Sequence, residues 1–418
     1  AVPAHPTPSP DQTPQPTVSD DLRRRLAPMP AWEWRSWLVA LWVVAIAAIL
    51  RFVKLSFPPS LVFDEVYYVN EGQELLDHGV EWRYDYDDAR NITADHGPDY
   101  VVHPPLGKWL IGAGIWFSRT FLNDPPVYTS ISSGPLGWRL MPALFGVLSV
   151  LILTRTARRM FRSTILGAAA GLLMALDGMH FVLSRTAILD IFLMFFVLAA
   201  FACLVIDRDH RRARWLAALD NGLDPTTGAR LPLTWSTIPW WRLAAGVLLG
   251  LGCGVKWSAI FFVPVFAALA YLWDANLRKT LGTPHPWRDA LRDEGAWTLA
   301  MTALVIPTYL ATWTGWFASD VGYKRHFLRD QGMDEPFLLG ALQNLWSYHM
   351  DVLSFHTQLT SSHPYQSSPW QWLLLGRPVA LYWDTEPRCG TDSCAAEILL
   401  LGTPVLWWAF IPALIAMT

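Results

Sequence analysis

Eight apolar runs divide the chain, at about 37–53, 139–154, 164–181, 188–206, 241–255, 258–273, 296–312 and 397–415. Each is long enough, or nearly so, to cross ~30 Å of hydrocarbon as a helix, which takes ~20 residues. Basic residues gather between them: Arg23 to Arg25, then Arg155, Arg158, Arg159 and Arg162, then Arg208, Arg211, Arg212 and Arg214, then Arg278, Lys279, Arg288 and Arg292. Short loops rich in Arg and Lys stay cytoplasmic. Eight crossings put every one of these clusters, and the N-terminus, on that side. A further run at 106–121 carries Lys108 and Arg119 near its ends. Counting it as a crossing would put the Arg155 cluster outside, so it is predicted to be a helix in or near the outer interface.

This alternation makes 55–137 and 314–396 large external segments. Segments 207–238 and 274–295 become internal loops, the first with turn residues at Asn221, Gly222, Pro225 and Gly228. Residues 1–30 hold eight prolines and read as a disordered cytoplasmic tail, leaving 31–418 as one all-α, polytopic membrane domain. The eighth run reaches Thr418 with nothing polar after it, so further C-terminal spans are expected to be missing.

Composition agrees with a membrane protein: of 418 residues, 52% are apolar and 16% charged, with 24 Trp and 20 Phe. A formal charge of −3 without an Arg/Lys-rich face excludes a nucleic-acid binder. The four cysteines exclude a disulfide scaffold. Cys389 and Cys394 lie close together in the second external segment and are a disulfide candidate in an oxidising compartment. Cys203 and Cys253 fall within apolar runs and read as packing residues.

Candidate chemistry lies at the external ends of the spans. Asp64 and Glu65 follow the first run, flanked by Val62, Phe63, Val66, Tyr67 and Tyr68. A carboxylate in apolar company can be tuned as a base or hold an acceptor hydroxyl; the competing reading is that Asp64 caps the helix starting at Glu65. Two prolines then set up a helix start that displays His103 and Lys108, toward a phosphate or an acceptor, unless Lys108 and Trp109 are interfacial anchors. Arg139, Arg185 and Lys256 sit at the outer ends of separate runs, where charge is expensive unless used or paired. Together they suit an anionic lipid headgroup; singly, each could snorkel. An Arg185–Asp190 pair has poor helical spacing.

His349, His356 and His363 recur every seven residues, but Pro364 interrupts the helix and the spacing does not suit a metal site. Tyr365, Trp370, Trp372, Tyr382 and Trp383 suit either the interface or sugar stacking. Neither GxGxxG nor a Walker A sequence is present, which points to a donor delivered through the lipid phase.

FDE at Phe63–Glu65, HPPLGKWLI at His103–Ile111 and GWRLMPALFG at Gly137–Gly146 stand in that order along the chain. They are followed by SRTAILD at Ser184–Asp190, GCGVKWSAIFF at Gly252–Phe262 and HPYQSSPWQW at His363–Trp372. In these segments the chain resembles the bacterial, actinobacterial-type protein O-mannosyltransferases, glycosyltransferases of the GT-C fold. The resemblance implies a GT-C fold with a juxtamembrane helix in the loop after the first span. It implies inverting transfer of mannose from polyprenyl-phosphate mannose to Ser or Thr hydroxyls of secreted proteins, at the outer face of the plasma membrane. It assigns Asp64 as catalytic base, Glu65 as support for the base or the acceptor, and Arg139 to the donor phosphate.

Arg185, Lys256, His103 and Lys108 join Arg139 as donor-site candidates, and His363, Tyr365 and Trp370 as acceptor or sugar contacts. No cofactor beyond the lipid-linked donor is expected; a divalent metal stays open. The secretion translocon is a candidate partner. A GT-C transferase acting on lipid or cell-wall glycan is the alternative.

Overall fold

The computed structural model describes residues 19–30, 32–87, 90–231, 234–385 and 394–417. The helices are α1 (Asp20–Leu26), α2 (Trp34–Phe52), α3 (Glu65–His78), α4 (Leu106–Phe117), α5 (Pro135–Phe161), α6 (Thr164–Leu176), α7 (Gly178–Leu183) and α8 (Asp190–Asp220). They continue as α9 (Trp240–Cys253), α10 (Phe262–Thr280), α11 (Pro286–Thr312), α12 (Thr314–Ala318), α13 (Phe327–Asp330), α14 (Leu339–Gln358), α15 (Pro369–Leu374) and α16 (Pro404–Met417). Two antiparallel hairpins interrupt the helical order: β1 (Trp82–Tyr86) with β2 (Ile92–Pro98), and β3 (Val379–Asp384) with β4 (Ala396–Leu400). Neither was anticipated: the first lies in the expected external segment 55–137, whereas β4 takes up the start of the apolar run 397–415, so that run becomes helical only from Pro404.

Each of the eight apolar runs contains a helix. Five of these, Trp34–Phe52, Pro135–Phe161, Asp190–Asp220, Trp257–Thr280 and Pro286–Thr312, are long and apolar enough to cross a membrane. The remaining three, α6, α9 and α16, have 13, 14 and 14 residues. At ~1.5 Å per residue they are shorter than the ~30 Å hydrocarbon core. α6 stops because Asp177 takes an extended conformation and its carboxylate accepts from the His180 backbone N–H at 3.0 Å, starting α7. α4 has 12 residues and runs on as a π-helical turn from Ser118 to Leu122.

α2, α6 and α8 pack on α5; α9 packs on α8 and α11; α10 packs on α11. Trp42, Ile165, Leu299 and Ile306 point out of this bundle, exposed apolar groups of the kind a lipid phase covers.

The internal loops are shorter than expected. α8 runs on to Asp220, with the turns following at positive φ on Gly222 and Gly228; α10 runs to Thr280, and Gly282 turns the chain into α11. The four basic clusters meet at one end of the bundle. Arg23 pairs with Asp220, Arg158 with Glu33 at 2.5 Å, and Arg278 with Asp293 at 3.0 Å. Arg162 donates to the Arg24 carbonyl at 2.8 Å. Asp64, Arg139, Asp190 and Lys256 lie at the opposite ends of the same helices.

Candidate active site

The loop after α2 is held to the bundle by one buried ion pair. The Glu65 carboxylate accepts from Arg139 Nε and Nη2 at 2.8 and 2.7 Å, from the Val62 N–H at 2.9 Å, and from the Ala187 N–H at 2.8 Å. Glu65 is 0% and Arg139 1% exposed. Arg139 also donates to the carbonyls of Leu55, Pro58 and Ser60, at 3.4, 2.8 and 2.8 Å. A guanidinium has five N–H groups, and these contacts use them all. Arg139 therefore joins the loop, α5 and the segment before α8 into one unit. In this arrangement every Arg139 N–H is engaged by protein oxygens and the Glu65 carboxylate is fully enclosed.

Asp64, the next residue along, is left open. It occupies the N-cap position of α3, but its side chain makes no capping hydrogen bond, so the capping reading fails. Among the described residues its carboxylate has no hydrogen-bond or ion-pair partner. Phe63 before it adopts φ +51°, an uncommon backbone for a bulky residue. Burial pushes the Asp64 carboxyl above the usual range and nearby Asp190 adds to this, while Lys256 and His363 oppose it.

Lys256 follows α9 in an extended conformation and reaches Asp190 at the start of α8, Nζ to Oδ2 2.8 Å. Asp190 thus pairs with Lys256 and not with Arg185, in keeping with the poor five-residue spacing. His103 stands beside Tyr68 and His356, ring centroids 6.1 and 5.9 Å apart, and Trp257 is 6.3 Å from His356. His356 Nε2 is 3.2 Å from the Val102 carbonyl. Burial first, then Lys256 and Lys108, hold the His103 imidazole down to about 3. His103 is thereby neutral at physiological pH, a hydrogen-bonding and stacking group and not a cation for phosphate.

Lys108 is diverted elsewhere. Fully buried, its Nζ lies 2.6 Å from Glu81 and 3.5 Å from Glu71, so it neutralises an acidic cluster under α3 and faces neither phosphate nor interface. Glu74, beside them, is raised to about 8 by burial. Arg185 donates to the carbonyls of Leu50, Arg51, Val53 and Lys54 at 2.7 to 2.9 Å, closing the C-terminal end of α2. With Arg139, Phe57, Phe181 and Glu397 it also lines a cavity of about 230 Å³. Lys256 is not on that lining, so the three expected cations are split between two places.

His363 is brought near Asp64, and Tyr365 lies 5.8 Å from its ring. Trp370 is 70% exposed. Cys394 is disulfide-bonded; Cys389 lies outside the described residues. Among the described residues no group of three or more His, Cys, Asp and Glu could hold a metal ion.

Sequence reasoning did not assign Tyr68, Trp257, His356 or Asp190 to this site. The charge of Asp190 at the head of an apolar run was the one usable signal. An apolar groove of about 310 Å³ adjoins Trp257, lined by Cys253, Ile260, Val305, Ile306, Tyr309 and His349. Tyr309 Oη receives the Trp257 indole N–H at 3.0 Å.

The family profile for dolichyl-phosphate-mannose–protein mannosyltransferase matches residues 94–318, and that for the C-terminal four-transmembrane region of protein O-mannosyltransferase matches 341–418. A polyprenol-phosphate-mannose–protein mannosyltransferase of Mycolicibacterium smegmatis is 39% identical over 396 residues, 91% of this chain and 71% of that protein. The same-named protein of Corynebacterium glutamicum is 32% identical over 404 residues, 92% of this chain and 73% of its own. Among solved structures, the Saccharomyces cerevisiae protein O-mannosyltransferase Pmt1–Pmt2 complex bound to the sugar donor superposes with a TM-score of 0.51 at 20% identity. That match covers 74% of this chain and 38% of the yeast chain, and it shows a shared GT-C-like, multi-span fold. With the family profiles covering most of the length and the bacterial relatives nearly all of it, the chain belongs to the protein O-mannosyltransferase family.

Proposed function

We propose that Asp64 is the general base of a mannosyl transfer carried out in this bundle. The chain transfers mannose from polyprenyl-phosphate mannose to Ser or Thr hydroxyls of secreted proteins. The observation that carries the assignment is the contrast within one dipeptide: Glu65 is spent on Arg139 and two backbone N–H groups, while Asp64 has no partner among the described residues and feels the charges of Lys256 and His363.

The acceptor oxygen attacks the anomeric carbon and its proton passes to an Asp64 oxygen. The bond from that carbon to the phosphate oxygen breaks on the opposite face, and the electron pair leaves with the lipid phosphate. Attack opposite the leaving group inverts the anomeric centre. Lys256 is the cation that stabilises the charge gained by the phosphate, since Arg139 has no N–H to offer. Asp190 orients Lys256 through their 2.8 Å contact. The apolar groove beside Trp257, between the turn before α10 and α11, suits a prenyl chain. His363, Tyr365 and the His103–Tyr68–His356 group form the acceptor and sugar side.

The basic clusters assembled at the other end support a cytoplasmic N-terminus, with Asp64 at the external face of the plasma membrane. α4 then lies at the outer interface.

The test is transfer from labelled polyprenyl-phosphate mannose to a Ser/Thr-rich secreted peptide by the parent protein and by Asp64→Asn. Loss of a general base costs roughly 10²–10⁴-fold. The expected result is a loss in that range with donor binding retained. Equal turnover by both proteins would remove Asp64 as the base.

A further inference from the structure

At the end of the bundle far from Asp64, arginines from four parts of the chain line a cavity of about 340 Å³. Arg211 and Arg214 come from α8, Arg230 from the segment before α9, Arg278 from α10 and Arg292 from α11. Asp293 and Glu294 are the carboxylates on the same lining.

On the lining itself five arginines face two carboxylates. Arg211 is answered by Asp207 and Asp274 at 3.0 and 3.1 Å, and by Glu294 at 2.5 Å. Asp293 serves three guanidinium groups, Arg230, Arg278 and Arg292, at 3.1, 3.0 and 2.7 Å, with Glu294 adding a 3.8 Å contact to Arg278 and Asp289 a 3.3 Å contact to Arg292. Arg214 has the Thr237 carbonyl as its hydrogen-bond partner, at 2.5 Å. Arg278 is 2% exposed, and among the described residues its Nη1 has no hydrogen-bond partner. A buried guanidinium N–H without an acceptor is costly, and several arginine forks around one space match the oxygens of a phosphoryl group.

We infer that this cavity binds a phosphoryl group, carried either by an anionic phospholipid head or by a soluble phosphate. The site is separate from the transfer reaction and independent of the assignment of Asp64. It lies at the bundle end where α8, α10 and α11 leave their apolar stretches, the level at which lipid headgroups stand. Trp297, also on the lining, suits that depth. Arg230 and Arg292, the more exposed members, form its mouth. Occupation supplies an acceptor for Arg278 and draws α8, α10 and α11 together. α8 begins at Asp190, so the same helices carry part of the candidate active site at their other ends.

The experiment uses the full chain purified in neutral detergent and in nanodiscs. Retention of phosphatidylglycerol against phosphatidylcholine is read by native mass spectrometry, and binding of inorganic phosphate by calorimetry. The parent is compared with the double variant Arg214→Gln, Arg230→Gln and with Arg329→Gln, a distant surface control. Preferential phosphatidylglycerol binding, weakened about tenfold or more in the double variant and unchanged in the control, supports a lipid-head site. Phosphate binding with the same variant pattern and no lipid preference supports a soluble phosphate. Binding of neither ligand, or equal binding by all three proteins, overturns the inference.

Discussion

The two ends of the helix bundle handle charge in opposite ways. At the basic end, α8 to α11 are tied by ion pairs: Arg242 bridges Asp207 and Asp274 at 3.0 and 2.9 Å while donating to Thr298 at 2.9 Å. At the other end the buried pair of Glu65 with Arg139 ties the loop after α2 to the bundle, while its neighbour Asp64 has no partner among the described residues. Charges satisfied in several directions hold helices in register. A carboxylate kept open and partly buried is poised to exchange a proton. Glu65 and Asp64 show that the distinction operates between consecutive residues.

The largest effect that would sharpen this comparison separates activity from folding. Asp64→Asn is expected to lose transfer by roughly 10²–10⁴-fold while unfolding at the parent temperature, because no protein contact is removed. Arg139→Ala is expected to do the reverse first. Leaving Glu65 buried and unpaired costs about 3–5 kcal/mol, read as a large fall in thermal midpoint in detergent. An Arg139→Ala protein as stable as the parent would break the distinction drawn here.

Lys256→Gln should come next. Removing one donor to a developing oxyanion costs ~10²–10³-fold in turnover, with little change in peptide KM. A change confined to peptide KM would place Lys256 on the acceptor side instead.

The smallest effect concerns Glu74, whose folded carboxyl is raised to about 8 by burial. A group with a raised folded pKa contributes its stability below the unfolded value, near 4.5, and loses it as pH rises through about 8. The parent is therefore expected to lose stability between those limits. Glu74→Gln should flatten that slope, and thermal midpoints measured across the range would show it. An unchanged slope would mean that Glu74 is ionised throughout.

Much of this was legible in one dimension. Apolar runs of near-spanning length can only be helices in a lipid phase, because every backbone polar group must be satisfied locally. Arginine clusters at alternate run ends then dictate which loops share a side. Asp64 was also legible, since a carboxylate flanked by Phe63 and Tyr67 after a span is conspicuous.

The roles of Arg139 and Lys108 were not legible. Both looked like cations awaiting a phosphate, and both are consumed by carboxylates far away in sequence, Arg139 by Glu65 and Lys108 by Glu81. Asp190 illustrates the same limit: its nearest basic residue in sequence is Arg185, yet its partner is Lys256. The hairpins escaped notice because short strands such as Trp82–Tyr86 carry too few alternating positions to stand out against a helical background.

The sequence by itself determined the apolar helices, the sharing of one bundle end by the basic clusters, the acidic pair after the first span and the family resemblance. These follow from composition, run length and local order. Only the tertiary structure decided which of the two acidic residues is open, which cations are already used, and that His103, His356, Trp257 and Tyr68 meet. Charge pairing and burial are set by distances between segments far apart along the chain, and no local pattern records them.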